Sequence, residues 1–504
     1  MKKVKILFIA TCILALSSCK KDFLDLNVNP NFPLLVPSNT LLPAALFKTA
    51  SYIVHPSMSN PCLWMGYMGF SPNYAVAEDS RNYVLINATG QNVFRDLFQN
   101  AYDYNKMSNF AQAENNRGLN GIGIVMKCML MQYLVDVYNN VPYSQAFLET
   151  ANQTPGYDDA KTIYEKIYDE LGVAIAKLQA ALPEDFPDKN KDLVFGSSGS
   201  PANMWIKFAN TVRLRILLRQ SGLASRAAYI AGKIATDFPN GLASFLQAGE
   251  TAKINPGYTN SENQQNPYWS VFGYSTTGAV NNPIFVAGQY AVNFYVGQSD
   301  LRAFYMYKPV ANGSFFGSFF NGNEMGQQGP TTPGFSGLVN AGSATSSNNP
   351  DPYRAVSDAQ IILSDFESLF LQAEAVQRGW FGGSAQALYN SAVLQSFTLG
   401  FGAGNASTYV SFLTPTADNN WALATDKIKL IITQKWAALN TINLFEGWTE
   451  YRRTGWPAVP LSSSPTRGSK HIPNRFLYPQ RELDVNSANV PSADAQTSKI
   501  WWMP

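Results

Sequence analysis

The stretch Leu119–Tyr138 most constrains what this chain can fold into, because on a helix it is apolar nearly all the way round. Such a helix has no face to offer to water and has to be enclosed between other elements. Lys127, Gln132 and Asp136 interrupt the run, and charged groups there would be costly in hydrocarbon, so it reads as a core helix rather than a membrane span. The rest of the fold has to supply its cover.

Helical spacing recurs on both sides. Phe94–Glu114 predicts a helix, and Ile163, Ile167, Leu171, Ile175, Leu178 and Leu182 mark an amphipathic one whose start is favoured by Asp158 and Asp159. Ser200-Pro201 reads as an N-cap with a first-turn proline, followed by Trp205, Phe208, Ala209, Val212 and Ile216 on one face. Ser364 and Glu367 have capping-box spacing; a second helix starts at about Ser384, and a third runs from Thr425 through Trp436 to about Trp448. Between these sets, residues 254–350 hold 17 aromatics against five charged residues, an irregular aromatic-rich excursion. The C-terminal stretch, rich in Pro, Ser and Asn, reads as extended chain laid over the body. The expected class is all-α, with tetratricopeptide-like helix hairpins that stack because one pair cannot bury its own apolar face, and with long irregular loops. No clean self-match at the roughly 34-residue period of such repeats is present.

The N-terminus carries a processing signal. Lys2, Lys3 and Lys5 precede an apolar run, Ile6 to Leu16, of signal-peptide length. Leu16-Ser17-Ser18-Cys19 is similar to the lipobox of bacterial lipoproteins, which predicts removal of residues 1–18 and lipid on Cys19. Residues 19–37, with Asn29-Pro30-Asn31, read as a tether, and 38–504 as a single domain. Two or three acyl chains on one cysteine hold a protein durably to a membrane.

A formal net charge of +2 with 14% charged residues leaves no footprint for nucleic acid, so uncharged partners are expected. Cys12 leaves with the signal and Cys19 takes lipid, which leaves Cys62 and Cys128 as thiols and no disulfide framework. The two histidines, His55 and His471, cannot form a three-histidine zinc site, and Gly334-Phe335-Ser336-Gly337 lacks nucleophile-elbow spacing. Paired carboxylates for glycoside hydrolysis stay open at this level, because their separation in space is not legible. No catalytic residue, metal site or cofactor is expected.

Several motifs together resemble the SusD/RagB family of outer-membrane lipoproteins, in its shorter-pattern branch. They are Asn27-x-Asn29-Pro30-Asn31, Trp205-x-Lys207-Phe208-Ala209-Asn210-Thr211-x-Arg213-Leu214-Arg215, Glu367-x-x-x-Leu371-x-Ala373-Glu374, and Gln434-Lys435-Trp436. Glu446-Gly447-Trp448-x-Glu450-Tyr451-Arg452-Arg453-Thr454-Gly455-x-Pro457 follows, then Arg475, Tyr478-Pro479, Glu482 and Asn486. The resemblance implies four tetratricopeptide-like helix pairs carrying irregular loops. It also implies outer-membrane, cell-surface placement, and a partnership with a SusC-like TonB-dependent transporter to which oligosaccharide is presented. Peptide uptake, and a lid that holds no ligand, are the alternatives. Trp436, Trp448, Arg452 and Arg453 read as packing residues, since such a cluster on a terminal helix locks it to its neighbours.

A neutral sugar offers hydroxyls for hydrogen bonds and C–H faces that lie flat on rings, so its site combines aromatics with amides or Arg. Two stretches have that mixture: Trp64, Tyr67, Asn73, Tyr74 and Arg81 in the first, and Tyr268, Trp269 and Tyr274 in the second, where a run of amides and Pro267 precedes the rings on an expected loop.

Overall fold

The computed structural model describes residues 36–54, 58–74, 78–310, 316–327, 334–341 and 354–504. The expected signal peptide, the expected lipid site Cys19, nearly all of the expected tether, and His55 lie outside the described residues. From Ser38 to Pro504 the chain forms one compact unit.

Ten helices carry the frame. They are α1 (Ser38–Tyr52), α2 (Gln91–Ala113), α3 (Arg117–Tyr138), α4 (Ala160–Gln179), α5 (Pro201–Arg219), α6 (Ala227–Asp237), α7 (Asp365–Gln377), α8 (Ala385–Phe401), α9 (Lys427–Leu439) and α10 (Glu446–Thr454). Helices α2/α3, α4/α5, α7/α8 and α9/α10 pack as four consecutive pairs, and α3 also packs on α4, and α7 on α9, so neighbouring pairs are joined to one another. Helix α3 is long and apolar enough to cross a membrane by length and composition, but 89% of its apolar window is buried inside the protein. Asn116, Asp159, Ser384 and Asp426 cap their helices by accepting backbone N–H bonds.

Three local expectations change. Ser200 stands at the N-cap of α5, but its side chain makes no capping bond there. Ser364 accepts from the Glu367 N–H, yet Glu367 does not return the bond, because Arg215 and Asn443 hold its carboxylate. The single helix expected from Thr425 to Trp448 is two, α9 and α10. Between them Thr441 adopts φ +63°, and the Asn440 amide donates to the Tyr295 and Tyr307 hydroxyls. That reversal folds α10 back on α9 and brings Glu446 and Glu450 to Lys435 at 2.5 and 2.9 Å.

The result is a buried ionic cluster joining α3, α5, α7, α9 and α10. Arg215 pairs with Glu367 at 3.1 Å, and Arg219 with Glu450 at 2.8 Å and with Glu446. Arg453 pairs with Glu374 at 2.7 Å and with Glu450. Arg452 lies 3.5 Å over the Trp448 ring and donates to the Asp136 carbonyl. Charges removed from water need such pairing, since one left alone costs several kcal/mol. Burial raises the Glu374 carboxyl and Arg453 outweighs it, holding the group at about 2. Glu446 is likewise held well below the usual range, with Arg219 and Lys435 outweighing burial. Asp136 also accepts from the Trp502 indole, which fixes the C-terminal segment on the frame.

Two short antiparallel ribbons manage the excursion. β2 (Ala252–Ile254) pairs with β4 (Gln360–Leu363), so the excursion leaves and rejoins the frame at one place. β1 (Met68–Phe70) pairs with β3 (Phe285–Ala287), which sews the excursion to the segment before α2.

Candidate functional site

The first predicted stretch divides between core and surface. Trp64 is 1% exposed, sits edge-on to Trp448 at 5.2 Å, and donates its indole N–H to the Ser80 carbonyl. Tyr67 is fully buried, stacked on Trp436 at 5.1 Å, and its hydroxyl donates to the Trp436 carbonyl. Both rings seat α9 and α10, so they have no face for a ligand, contrary to expectation. Arg81 is also buried, braced on both oxygens of Glu78 at 2.6 and 2.5 Å. Asn73 and Tyr74 are exposed.

The second stretch is ordered more than expected. Asn266 caps a six-residue helix, Pro267–Phe272, by accepting the Trp269 N–H, so Tyr268 and Trp269 stand on a helical turn rather than on an open loop. Tyr268 is 1% exposed under the Arg354 guanidinium, and its place is in the core. Trp269 and Tyr274 are half-buried, with ring centroids 5.6 Å apart. The Trp269 indole N–H donates to the Tyr274 carbonyl at 2.9 Å and the Tyr274 hydroxyl to the Val339 carbonyl at 3.2 Å. Their polar ends are therefore spent internally, and what they offer outward is ring surface. The neighbouring amides build the turn, with Gln265 donating to Asn260 and to the Tyr274 carbonyl.

A ladder of rings, Tyr268–Phe272–Phe285–Phe70, with steps of 5.1, 6.1 and 5.7 Å, runs from this helix to β1 and brings the two stretches together from the inside. Where β1 meets the excursion lies a cleft of about 160 Å³, lined by Met68, Gln289, Tyr290, Asn293, Asn323 and Glu324 among others. Gly66, at φ +69°, forms part of its wall, where a Cβ would come within 2.9 Å of Tyr290. Asn323 is buried, donates to the Phe70 carbonyl at 2.5 Å, and has no partner for its amide oxygen among the described residues. Gln289 donates to Asn293 at 2.6 Å. Burial pushes the Tyr290 phenol up to about 12, so it stays a neutral hydroxyl at physiological pH. Amides, a phenol and ring edges in a cleft with one exposed carboxylate suit hydroxyl groups better than ions. Sequence reasoning missed Gln289, Tyr290, Asn293 and Asn323. Gln289 and Asn293 are four apart on the helix Gln289–Gly297, a spacing that would have signalled one face had a helix been sought inside the excursion.

The fold is shared with known proteins. The chain is similar to a SusD homologue from Bacteroides fragilis NCTC 9343, with TM-score 0.72 and 19% identity over 93% of this chain and 100% of that one. A SusD-like protein from Bacteroides thetaiotaomicron VPI-5482 gives 0.70 and 21%, covering 93% and 99%. A chitin-binding SusD homologue from Flavobacterium johnsoniae gives 0.70 and 20%, covering 92% and 97%. No curated protein matches the chain. The model of a family described as starch-binding and associating with the outer membrane matches residues 30–479, and by that match the chain belongs to the SusD-like family.

Proposed function

We propose that this protein is a non-catalytic, lipid-anchored glycan-binding protein of the outer cell surface. In this reading it captures oligosaccharides and passes them to a SusC-like TonB-dependent transporter. Family membership supports carbohydrate binding at the outer membrane. The observation that carries the reading is the surface on the excursion, poor in charge, where the Trp269–Tyr274 rings and the amide-lined cleft stand on a helical frame sewn down by two ribbons. Stacking faces and amides are what a neutral sugar requires. The ionic cluster supports a non-catalytic role, because its carboxylates are already neutralised by Arg219, Lys435 and Arg453. Cys19 is the proposed lipid site, and Tyr74 and Asn73 the exposed companions of Trp269.

Titration of the protein against a glycan array and against a peptide library tests the ligand class. Saturable binding of an oligosaccharide is expected. Binding of peptides alone moves the reading to peptide uptake, and released product in a polysaccharide digest makes the protein an enzyme. One observation favours a second reading, a helical lid that seals the transporter without holding ligand: Trp64, Tyr67 and Tyr268 spend their rings on the core. Co-purification with a transporter, with no glycan bound by either, would select it.

A further inference from the structure

A second groove lies away from the excursion, between the first three turns of α2 and the loop that follows α3, with Pro479, Arg481 and Glu482 also in its lining. It holds about 720 Å³, within the range of roughly 300–1,000 Å³ usual for ligand sites. We propose that this groove is a second glycan site, one that takes a neutral oligosaccharide segment on the helical frame itself. The proposal rests on the reading that the protein binds glycans.

The groove has a floor of rings and a rim of free amides. Phe98, Tyr102 and Phe147 are half-buried, with Phe147 6.3 Å from Phe98 and 6.2 Å from Tyr102. The loop is held in place at a conformational cost. Phe147 and Glu149 adopt φ +65° and +52°, which non-glycine residues rarely do. The Tyr102 hydroxyl donates to Glu149, and Gln145 accepts from Asn152 at 3.1 Å and from the Gly156 N–H at 2.9 Å. Strained backbone that persists is fixed by its surroundings, and it clusters where ligands are clamped. Here the strained turn holds the Phe147 ring beside Phe98 and Tyr102 in the groove lining.

Along the α2 wall, Gln91, Asn92 and Gln99 have no side-chain partner among the described residues, and neither does Arg481 in the same lining. Arg95 and Arg481 are offset by Glu149 and Glu482, so the lining has no net charge to attract an ion. Uncommitted amides beside ring faces match the hydroxyls and C–H faces of a sugar. An apolar peptide side chain would leave those amides facing it without partners.

The test uses full-length protein in detergent with maltoheptaose, chitohexaose and the best oligosaccharide from the glycan array, read by calorimetry. Two molecules bound per chain are expected. Gln99→Trp, at an exposed position, fills the groove without removing a core contact, and is expected to lower the stoichiometry to one or weaken one site by tenfold or more. Trp269→Ala is expected to leave that groove-dependent binding in place. If Gln99→Trp changes neither number while Trp269→Ala removes all binding, the groove proposal is overturned and the glycan reading stands. If the wild-type chain binds nothing on the array, both fall. If Gln99→Trp spares glycan binding but ends co-purification with a transporter, the groove is a polypeptide-docking surface and the proposal is wrong.

Discussion

The junction of α5, α7, α9 and α10 and the surface of the excursion are both polar, and they use polarity in opposite ways. At the junction the carboxylates of Glu367, Glu374, Glu446 and Glu450 each contact an opposite charge, as where Arg453 stands between Glu374 and Glu450, while Arg452 is held by the Trp448 ring and carbonyls, and all of these side chains are buried. On the excursion the groups that line the cleft are neutral apart from Glu324, and the buried amide oxygen of Asn323 has no partner among the described residues. Buried charge is tolerated only where its partners are fixed, so the junction suits registering helices against one another. Neutral amides can wait for a ligand at much lower cost than a charge could. The contrast separates residues that register the helices from residues left accessible on the excursion.

Breaking the junction should have the largest effect. Arg453→Met leaves Glu374 and Glu450 with fewer partners and is expected to cost about 3–5 kcal/mol, read as a lower urea midpoint. Trp436→Ala, which removes the ring between Tyr67 and Phe294, should cost about 3–5 kcal/mol in the same assay. If either variant unfolds like the parent, the junction is not the structural centre.

Acid sharpens the comparison next. Glu374 falls from an ordinary 4.5 to about 2 on folding, so its pairing stabilises the protein above about pH 4.5 and is lost as pH drops through about 2. That difference corresponds to roughly 3 kcal/mol. Glu367 and Asp136, raised by burial despite Arg215 and Arg219, act with the opposite sign and lose stability as pH rises through their folded values. Stability curves between pH 5 and 2 should therefore be flatter for Glu374→Gln than for the parent, and parallel curves would refute the assignment.

The excursion should respond in affinity rather than in stability. Trp269→Ala removes a stacking face worth on the order of 1 kcal/mol and should weaken glycan binding several-fold, with far less loss of stability than Trp436→Ala. Unchanged affinity for a proven ligand would make Trp269 a bystander. Tyr74→Ala, at a ring 46% exposed, should alter stability by no more than about 0.5 kcal/mol, and calorimetry on the same ligand shows whether it touches the sugar.

Local signals in the sequence determined the helical frame. Apolar period, the caps at Asp159 and Ser384, and the unbroken apolar surface of α3 depend on residues a few positions apart, and the motif clusters were legible as packing residues for the same reason. Which aromatics stay accessible at the surface was not legible. Trp64 and Trp269 have equally suggestive neighbours, and only the distant partners decide between them: Trp448 and Phe476 enclose the first, while the second leans on its own turn. Burial is set by contacts between residues hundreds of positions apart, and no local pattern records those. The same holds for the break between α9 and α10, where the need to bring Glu446 to Lys435 overrides a continuous helical pattern.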